Sequence, residues 1–280
     1  MPPSVSLSLL KRSRRTAVAG YCYPRDPDEL RQALRRLTDS AGAAPRGAIA
    51  ALVPHSAYHQ SGRIAGLTLA RVAVPRCCLI LGANHTDAGP RWSLMGRGAY
   101  ETPLGEVPVD ERLAAVIAER CGAVESDETA HRGEHAIEAV LPLLQWLGPE
   151  RLGIAPIVVR AADADEIREV GQTLADIIQT WDEPVLVIAS CELSHFGAER
   201  EVRAADEQLL DALCRVDRER VRAQVNQRAY AACGTGALMC AVEIVKALGA
   251  SRGEVAGYAT SADAGGDPQS ATGYAGLIWR

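Results

Sequence analysis

Lysine is almost missing from this chain. Only Lys11 and Lys246 occur, so nearly all positive charge is arginine, and the net charge is −5. A nucleic-acid binder should carry a concentrated basic face, and this balance excludes one. Aromatic residues make up 4% of the 280 residues, with Phe196 the one phenylalanine. No CxxC pair occurs among the eight cysteines, which removes a structural zinc ribbon. The chain is also far longer than a disulfide-scaffolded secreted domain. Cys77, Cys78, Cys214 and Cys240 lie in apolar runs and read as small buried hydrophobes, which suits a reducing, cytoplasmic setting. No apolar run approaches the roughly 20 residues of a spanning helix, so no membrane is implied. The N-terminus, MPPSVSLSLLKRSRR, places its charges after its apolar part, the reverse of a secretory signal. Residues 1–16 read as a flexible arm, with a short transit-like segment as the alternative. No repeat or low-complexity linker follows, so residues 17–280 are expected to form one domain.

Three apolar runs organise that domain. Cys77-Cys78-Leu79-Ile80-Leu81 is too short for a helix and does not alternate, the signature of a strand buried on both faces. It breaks at Gly82 and delivers Asn84, His85, Thr86 and Asp87 into a loop. GAIAALVPHSAY repeats this grammar and ends at His55; PVLVIASCELSHFG repeats it and ends at Cys191, Glu192 and His195. If the three strands are parallel neighbours, their tips share the carboxyl edge of one sheet, where open α/β folds build sites. His55, His85 and His195 would then converge, although each singly reads as an ordinary loop or core histidine.

The rest alternates in kind. Ala17 to Pro24 is a short strand or extended lead-in; Asp26-Pro27-Asp28 caps a helix to about Leu37. Ser61 is expected to cap GRIAGLTLARV, completing a strand–helix–strand unit with parallel pairing. Trp92 to Asp110 reads as a shaped loop with strand-like pieces, and Asp110 caps ERLAAVIAERC. Glu134 to Leu147 is helical in period, with Pro142 as a kink or first-turn residue. Leu152 to Val159 is a strand, and helices follow over Asp163 to Trp181, Glu199 to Asp217 and Cys233 to Leu248. Glu254 to Thr260 and Thr272 to Trp279 close the chain as strands. The expected architecture is a single-domain, three-layer α/β/α fold with a central, mostly parallel mixed sheet.

Clustered neutral imidazoles bind a transition metal or move protons. Two ligands bind weakly, and Cys233 is the best third candidate: it precedes a helix, whose amides and dipole favour a thiolate. It equally reads as a turn residue with no partner. Glu192 and His195, three apart, suit a carboxylate that orients a general base, or a plain surface ion pair. Phe196 offers a ring to stack on a substrate, or packing under its loop. His131-Arg132-Gly133-Glu134-His135 matches the inverted zinc-peptidase pattern. Gly133 and the acidic approach place a helix start here, so the two histidines would not share a face.

Taken in order, Gly20-Tyr21-Cys22-Tyr23-Pro24, Pro54-His55-Ser56-Ala57-Tyr58, Leu81-Gly82-Ala83-Asn84-His85-Thr86, Glu101-Thr102-Pro103-Leu104-Gly105, Glu134-His135-Ala136-Ile137-Glu138, Ser194-His195-Phe196-Gly197 and Cys233-Gly234 resemble the MEMO family. Its bacterial and archaeal members are called AmmeMemoRadiSam system protein B. The resemblance implies a fold similar to class III extradiol ring-cleaving dioxygenases, which use non-haem Fe(II). It places the family's metal pocket on His55, His85 and Cys233, its acid and histidine on Glu192 and His195, and His135 in the pocket lining. With His135, Tyr58 and Phe196 are the expected substrate contacts. Fe(II) is the implied metal, with copper or zinc as alternatives. The chain departs from the family pattern in having Glu192 for a usual aspartate and Ala57 for a glycine. Where the dioxygenases proper use a glutamate, Cys233 stands, and a thiolate changes the charge and potential of an iron. Two functions follow. One is a redox-metal enzyme acting on a small aromatic ligand. The other is a non-catalytic metal- or peptide-binding protein, acting beside radical-SAM and AMMECR-type partners.

Overall fold

Residues 13–39, 44–160, 162–227 and 233–280 are described in the computed structural model. They open with a two-residue strand, β1 (Ser13–Arg14). Helix α1 (Pro27–Thr38) starts as expected: the Asp26 carboxylate accepts from the amides of Asp28 and Glu29, and Pro27 occupies the first turn. After β2 (Ala50–Val53), a turn of π-helix (Tyr58–Gly62) leads into α2 (Arg63–Leu69). Ser61 does not cap this helix; its hydroxyl donates to the Ser56 carbonyl at 3.0 Å, inside the π turn. Strand β3 (Cys77–Ala83) follows. The segment expected as a shaped loop holds three strands, β4 (Trp92–Leu94), β5 (Ala99–Thr102) and β6 (Gly105–Pro108). The hairpin between β5 and β6 turns where Gly105 takes φ 116, a conformation open to glycine.

Next come α3 (Glu111–Arg120), capped by Asp110, and β7 (Val124–Ser126). The helical period read from Glu134 becomes regular only at a 3₁₀ turn (Glu138–Val140) running into α4 (Leu141–Leu147), with Pro142 in its first turn. Strand β8 (Gly153–Val159), α5 (Ala164–Gln179) capped by Asp163, and β9 (Val185–Ser190) agree with expectation. Helix α6 (Glu199–Cys214) is followed by α7 (Arg218–Gln227), whose apolar period is too sparse to read from sequence. Helix α8 (Thr235–Ala247) and strands β10 (Gly253–Thr260) and β11 (Gly273–Trp279) complete the chain. Among the described residues no helix is long and apolar enough to cross a membrane.

Eight strands make one sheet in the order β10-β11-β2-β9-β3-β8-β4-β7. Its centre, β2-β9-β3-β8, is parallel, and antiparallel pairs join β10 and β11 on one side and β4 on the other. Every residue of β2, β3 and β9 is buried, which is why these strands read as unbroken apolar runs. Helices α1, α2 and α4 pack together over one face, and α3, α5 and α8 over the other. The arm expected over residues 1–16 overlaps the fold: Ser13 and Arg14 pair with Ala99 and Tyr100, and residues 1–12 lie outside the described residues. Arg14 is buried. Its Nε donates to the His131 carbonyl at 2.8 Å, and its guanidinium pairs with Glu138. Glu138 also accepts from the amides of Ala17 (2.8 Å) and Val18 (3.0 Å) and the Tyr23 hydroxyl (2.6 Å). This hub folds Ala17 to Pro24 into turns, with one isolated pairing of Ala19 and Tyr23 in place of a strand.

Candidate metal centre

The register of the central strands brings their ends level. Val53 and Gly82 both lie opposite Ser190, the last residue of β9. His55, His85 and Glu192 each follow their strand by two residues and meet there. Ring centroids are 5.3 Å apart for His55 and His85, 5.4 Å for His55 and His135, and 4.5 Å for His85 and His135, the last pair stacked. Cys233 enters from the start of α8. Gly234, at φ 74, leaves no easy room for a side chain: a Cβ there would lie 3.1 Å from the Ser190 carbonyl oxygen and 3.3 Å from Cys191 Cβ, so this turn sits against the tip of β9. Cys233 Sγ lies 3.3 Å from His55 Nε2 and 3.9 Å from Glu192 Oε2.

The donor atoms form two overlapping groups, His55–His85–His135 and His55–Glu192–Cys233, each with its atoms within 4.8 Å of one another. His55 belongs to both. The trio expected from sequence was His55, His85 and Cys233; in the structure the thiol groups with Glu192, and His85 groups with His135. The thiolate expected from the helix start is opposed locally. Burial, followed by the charge of Glu192, pushes the Cys233 thiol up to about 12. A cation in the pocket would reverse that balance, because it is the largest local charge.

Glu134 stands in both the peptidase-like pattern and the family-like Glu-His segment, yet the sequence gives it no role in the site. Its carboxylate accepts from the His85 amide at 2.5 Å and His85 Nδ1 at 2.8 Å, and from the amides of His135 (2.7 Å) and Ala136 (2.8 Å). Burial alone would raise its pKa. The His85 hydrogen bond and charge and the backbone amides outweigh burial and hold it at about 2. A carboxylate only accepts, so His85 Nδ1 carries the proton and Nε2 is left as a donor atom. Glu192 is likewise held at about 2: burial opposes ionisation, and His195, His55 and Ser56 overcome it. Burial lowers His55 to about 4, so this imidazole is neutral at physiological pH, as a metal ligand must be.

A model of the family described as Memo-like protein matches residues 14–278. A MEMO1 family protein of Methanopyrus kandleri is 34% identical over 282 residues, covering 95% of this chain and 99% of the relative. One from Aquifex aeolicus is 34% identical over 271 residues, with 96% and 99% covered. A third, from Methanosarcina barkeri, is 31% identical over 265 residues, with 95% and 99% covered. The chain belongs to the Memo family.

In this Memo protein the remaining candidates separate. His195 Nε2 stands 3.3 Å from Glu192 Oε2, a charge contact, and is a buried polar atom with no hydrogen-bond partner among the described residues. Phe196 does not pack under its loop. It is 74% exposed at φ 59, edge-on to His195 at 5.5 Å. Tyr58 is committed elsewhere: its hydroxyl donates to the Ala139 carbonyl at 3.0 Å, and its buried ring tilts against Tyr23. Tyr274, at the start of β11, was missed. It shares a hydrogen bond with Ser56, and burial pushes its phenol up to about 12. His131 lies apart, with both nitrogens engaged: Nδ1 faces the Tyr100 hydroxyl at 2.7 Å and Nε2 the Ser93 carbonyl at 3.0 Å. The peptidase pattern is therefore a chance match, and Glu134 serves the Memo pocket by holding His85. Three imidazoles, a thiol and a carboxylate, with one orphaned ring nitrogen nearby, fit a first-row transition metal.

Proposed function

We propose that this Memo protein is a metal-dependent redox protein of the non-haem iron type, similar to the extradiol dioxygenases. The observation that carries the reading is the convergence of His55, His85, His135, Cys233 and Glu192 at one strand edge. His55 and His85 would hold Fe(II), with His135, Cys233 and Glu192 as the further donors within reach; copper and zinc suit the same donors. Bound iron would supply electron transfer to dioxygen and a positive charge to polarise a ligand oxygen. His195 would take or return a proton at its unpartnered Nε2, with Glu192 3.3 Å away to stabilise the charged ring. The exposed Phe196 ring offers a flat apolar surface at that histidine for a small aromatic ligand.

Elemental analysis of protein purified without oxygen tests this, with wild type compared against His85→Ala and Cys233→Ser. Near-stoichiometric iron in wild type, loss in both variants, and oxygen uptake with a catechol probe are expected. Wild type that binds metal but consumes no oxygen with any such probe removes the catalytic reading. The exposure of Tyr21 (90%) and Phe196 (74%) favours a second reading, in which the pocket holds a metal or peptide for radical-SAM and AMMECR-type partners. A pull-down with those partners, retained in a variant unable to take up oxygen, separates the two.

A further inference from the structure

Behind His55 lies a buried serine whose only proton is already committed. Ser190 has no solvent exposure and sits between Val53 and Gly82 in the sheet. Its Oγ is 2.6 Å from the Ala136 carbonyl and 2.9 Å from His55 Nδ1. A carbonyl oxygen only accepts, so the hydroxyl proton goes to Ala136. The Ser190 oxygen then faces Nδ1 with a lone pair, and Nδ1 must carry the ring proton. Nε2 is left with its lone pair, and the atom it meets is Cys233 Sγ at 3.3 Å, a thiol that finds an acceptor there. Gly82 makes the arrangement possible. A side chain at that position would put its Cβ 2.8 Å from Ile137 Cγ1 and 3.3 Å from Ala136 Cβ. Glycine at this position lets the Ala136 and Ile137 side chains come down on β3, with the Ala136 carbonyl within reach of Ser190.

From this hydrogen-bond direction we propose that Ser190 is a positioning residue. With the Ala136 carbonyl it locks His55 as the Nδ1–H tautomer and so presents Nε2 to the pocket as a metal donor. Only the last step rests on the metal reading; the tautomer is a property of the metal-free protein. His85 is fixed by a different device, the anionic Glu134. A carboxylate raises the basicity of the imidazole it holds, whereas a serine oxygen fixes the tautomer without adding charge. The pocket therefore carries two unequal imidazoles, a strong donor at His85 and a weaker, strictly neutral one at His55.

Nitrogen-15 NMR of histidine-labelled, metal-free protein reads the tautomer directly, with His55→Gln assigning the signals. Wild type should show protonated Nδ1 and bare Nε2 at His55. Ser190→Ala should shift the ring toward Nε2–H and weaken anaerobic Fe(II) binding by roughly 10–100-fold. Ser190→Thr, which keeps the hydroxyl, should retain Nδ1–H and bind within a few-fold of wild type. Nε2–H at His55 in wild type overturns the proposal without reference to any variant. So does Ser190→Ala with unchanged tautomer and unchanged Fe(II) affinity, or Ser190→Thr as impaired as Ser190→Ala. Wild type with Nδ1–H that binds no metal leaves the lock standing and removes the metal reading, so the two failures are distinguishable.

Discussion

Replacing Arg14 by methionine tests whether the first described residues belong to the fold. The Arg14 and Glu138 side chains are 4% and 0% exposed, so the change strands a carboxylate in the interior. Breaking a buried pair from one side costs about 3–5 kcal/mol. The lower end applies here, because Glu138 keeps three neutral donors, the amides of Ala17 and Val18 and the Tyr23 hydroxyl. Arg14 also bonds the carbonyls of His131 and Glu134, and losing each adds about 0.5–1 kcal/mol. Its guanidinium lies 4.9 Å from the Tyr100 ring centre, a smaller contribution. The sum is about 4 kcal/mol. At about 2.1 cal/mol/K per residue for unfolding, a chain of 280 residues should melt roughly 7 °C lower. Urea titration and thermal melting of metal-free protein measure both. Adding Glu138→Gln to Arg14→Met removes the stranded charge and should recover about 1–2 kcal/mol relative to the sum of the single changes. A single variant within about 1 kcal/mol of wild type, or a double variant that merely adds, would refute the reasoning.

Glu134→Gln leaves the His85 ring with a neutral partner that also offers a donor. Metal affinity, measured by competition with a chelator, should fall roughly 10–100-fold, with a melting temperature in the absence of metal that changes less than that of Arg14→Met. Burial lowers His131 to about 4 from its ordinary 6.5, so the folded state binds fewer protons than the unfolded chain between those values. The stability from this neutral ring is complete above pH 6.5 and is lost as pH falls toward 4, by about 3 kcal/mol at most. Urea midpoints measured across that window should depend less on pH in His131→Gln than in wild type; equal slopes would refute the assignment. Phe196→Asn puts a residue that tolerates the left-handed region at φ 59. It should raise stability by up to about 1 kcal/mol, little burial being lost, while weakening any aromatic ligand read by titration.

How legible was the site? His55, His85, Glu192 and His195 were readable because each follows an unbroken apolar run, and a fully buried parallel strand has no other way to appear in sequence. Helix starts at Asp26, Asp110 and Asp163 were readable because a cap is a contact within three residues. The failures share a cause. Ser61 looked like a cap, but its hydroxyl found the Ser56 carbonyl in a π turn that no period announces. The β4 to β6 segment looked like a loop because its strands are three or four residues long and two of them form a separate small sheet with β1.

The sequence by itself determined the strand tips, the helix starts and the kinds of ligand atom available, since burial period and capping are properties of near neighbours along the chain. Only the tertiary structure decided which atoms meet. It set Cys233 beside Glu192, gave His85 to Glu134, placed Ser190 behind His55 and closed Arg14 onto Glu138. These pairs are separated by 41, 49, 135 and 124 residues. Hydrogen-bond direction across such spans depends on the order of strands in the sheet and on which way one carbonyl faces, and neither leaves a local pattern to read.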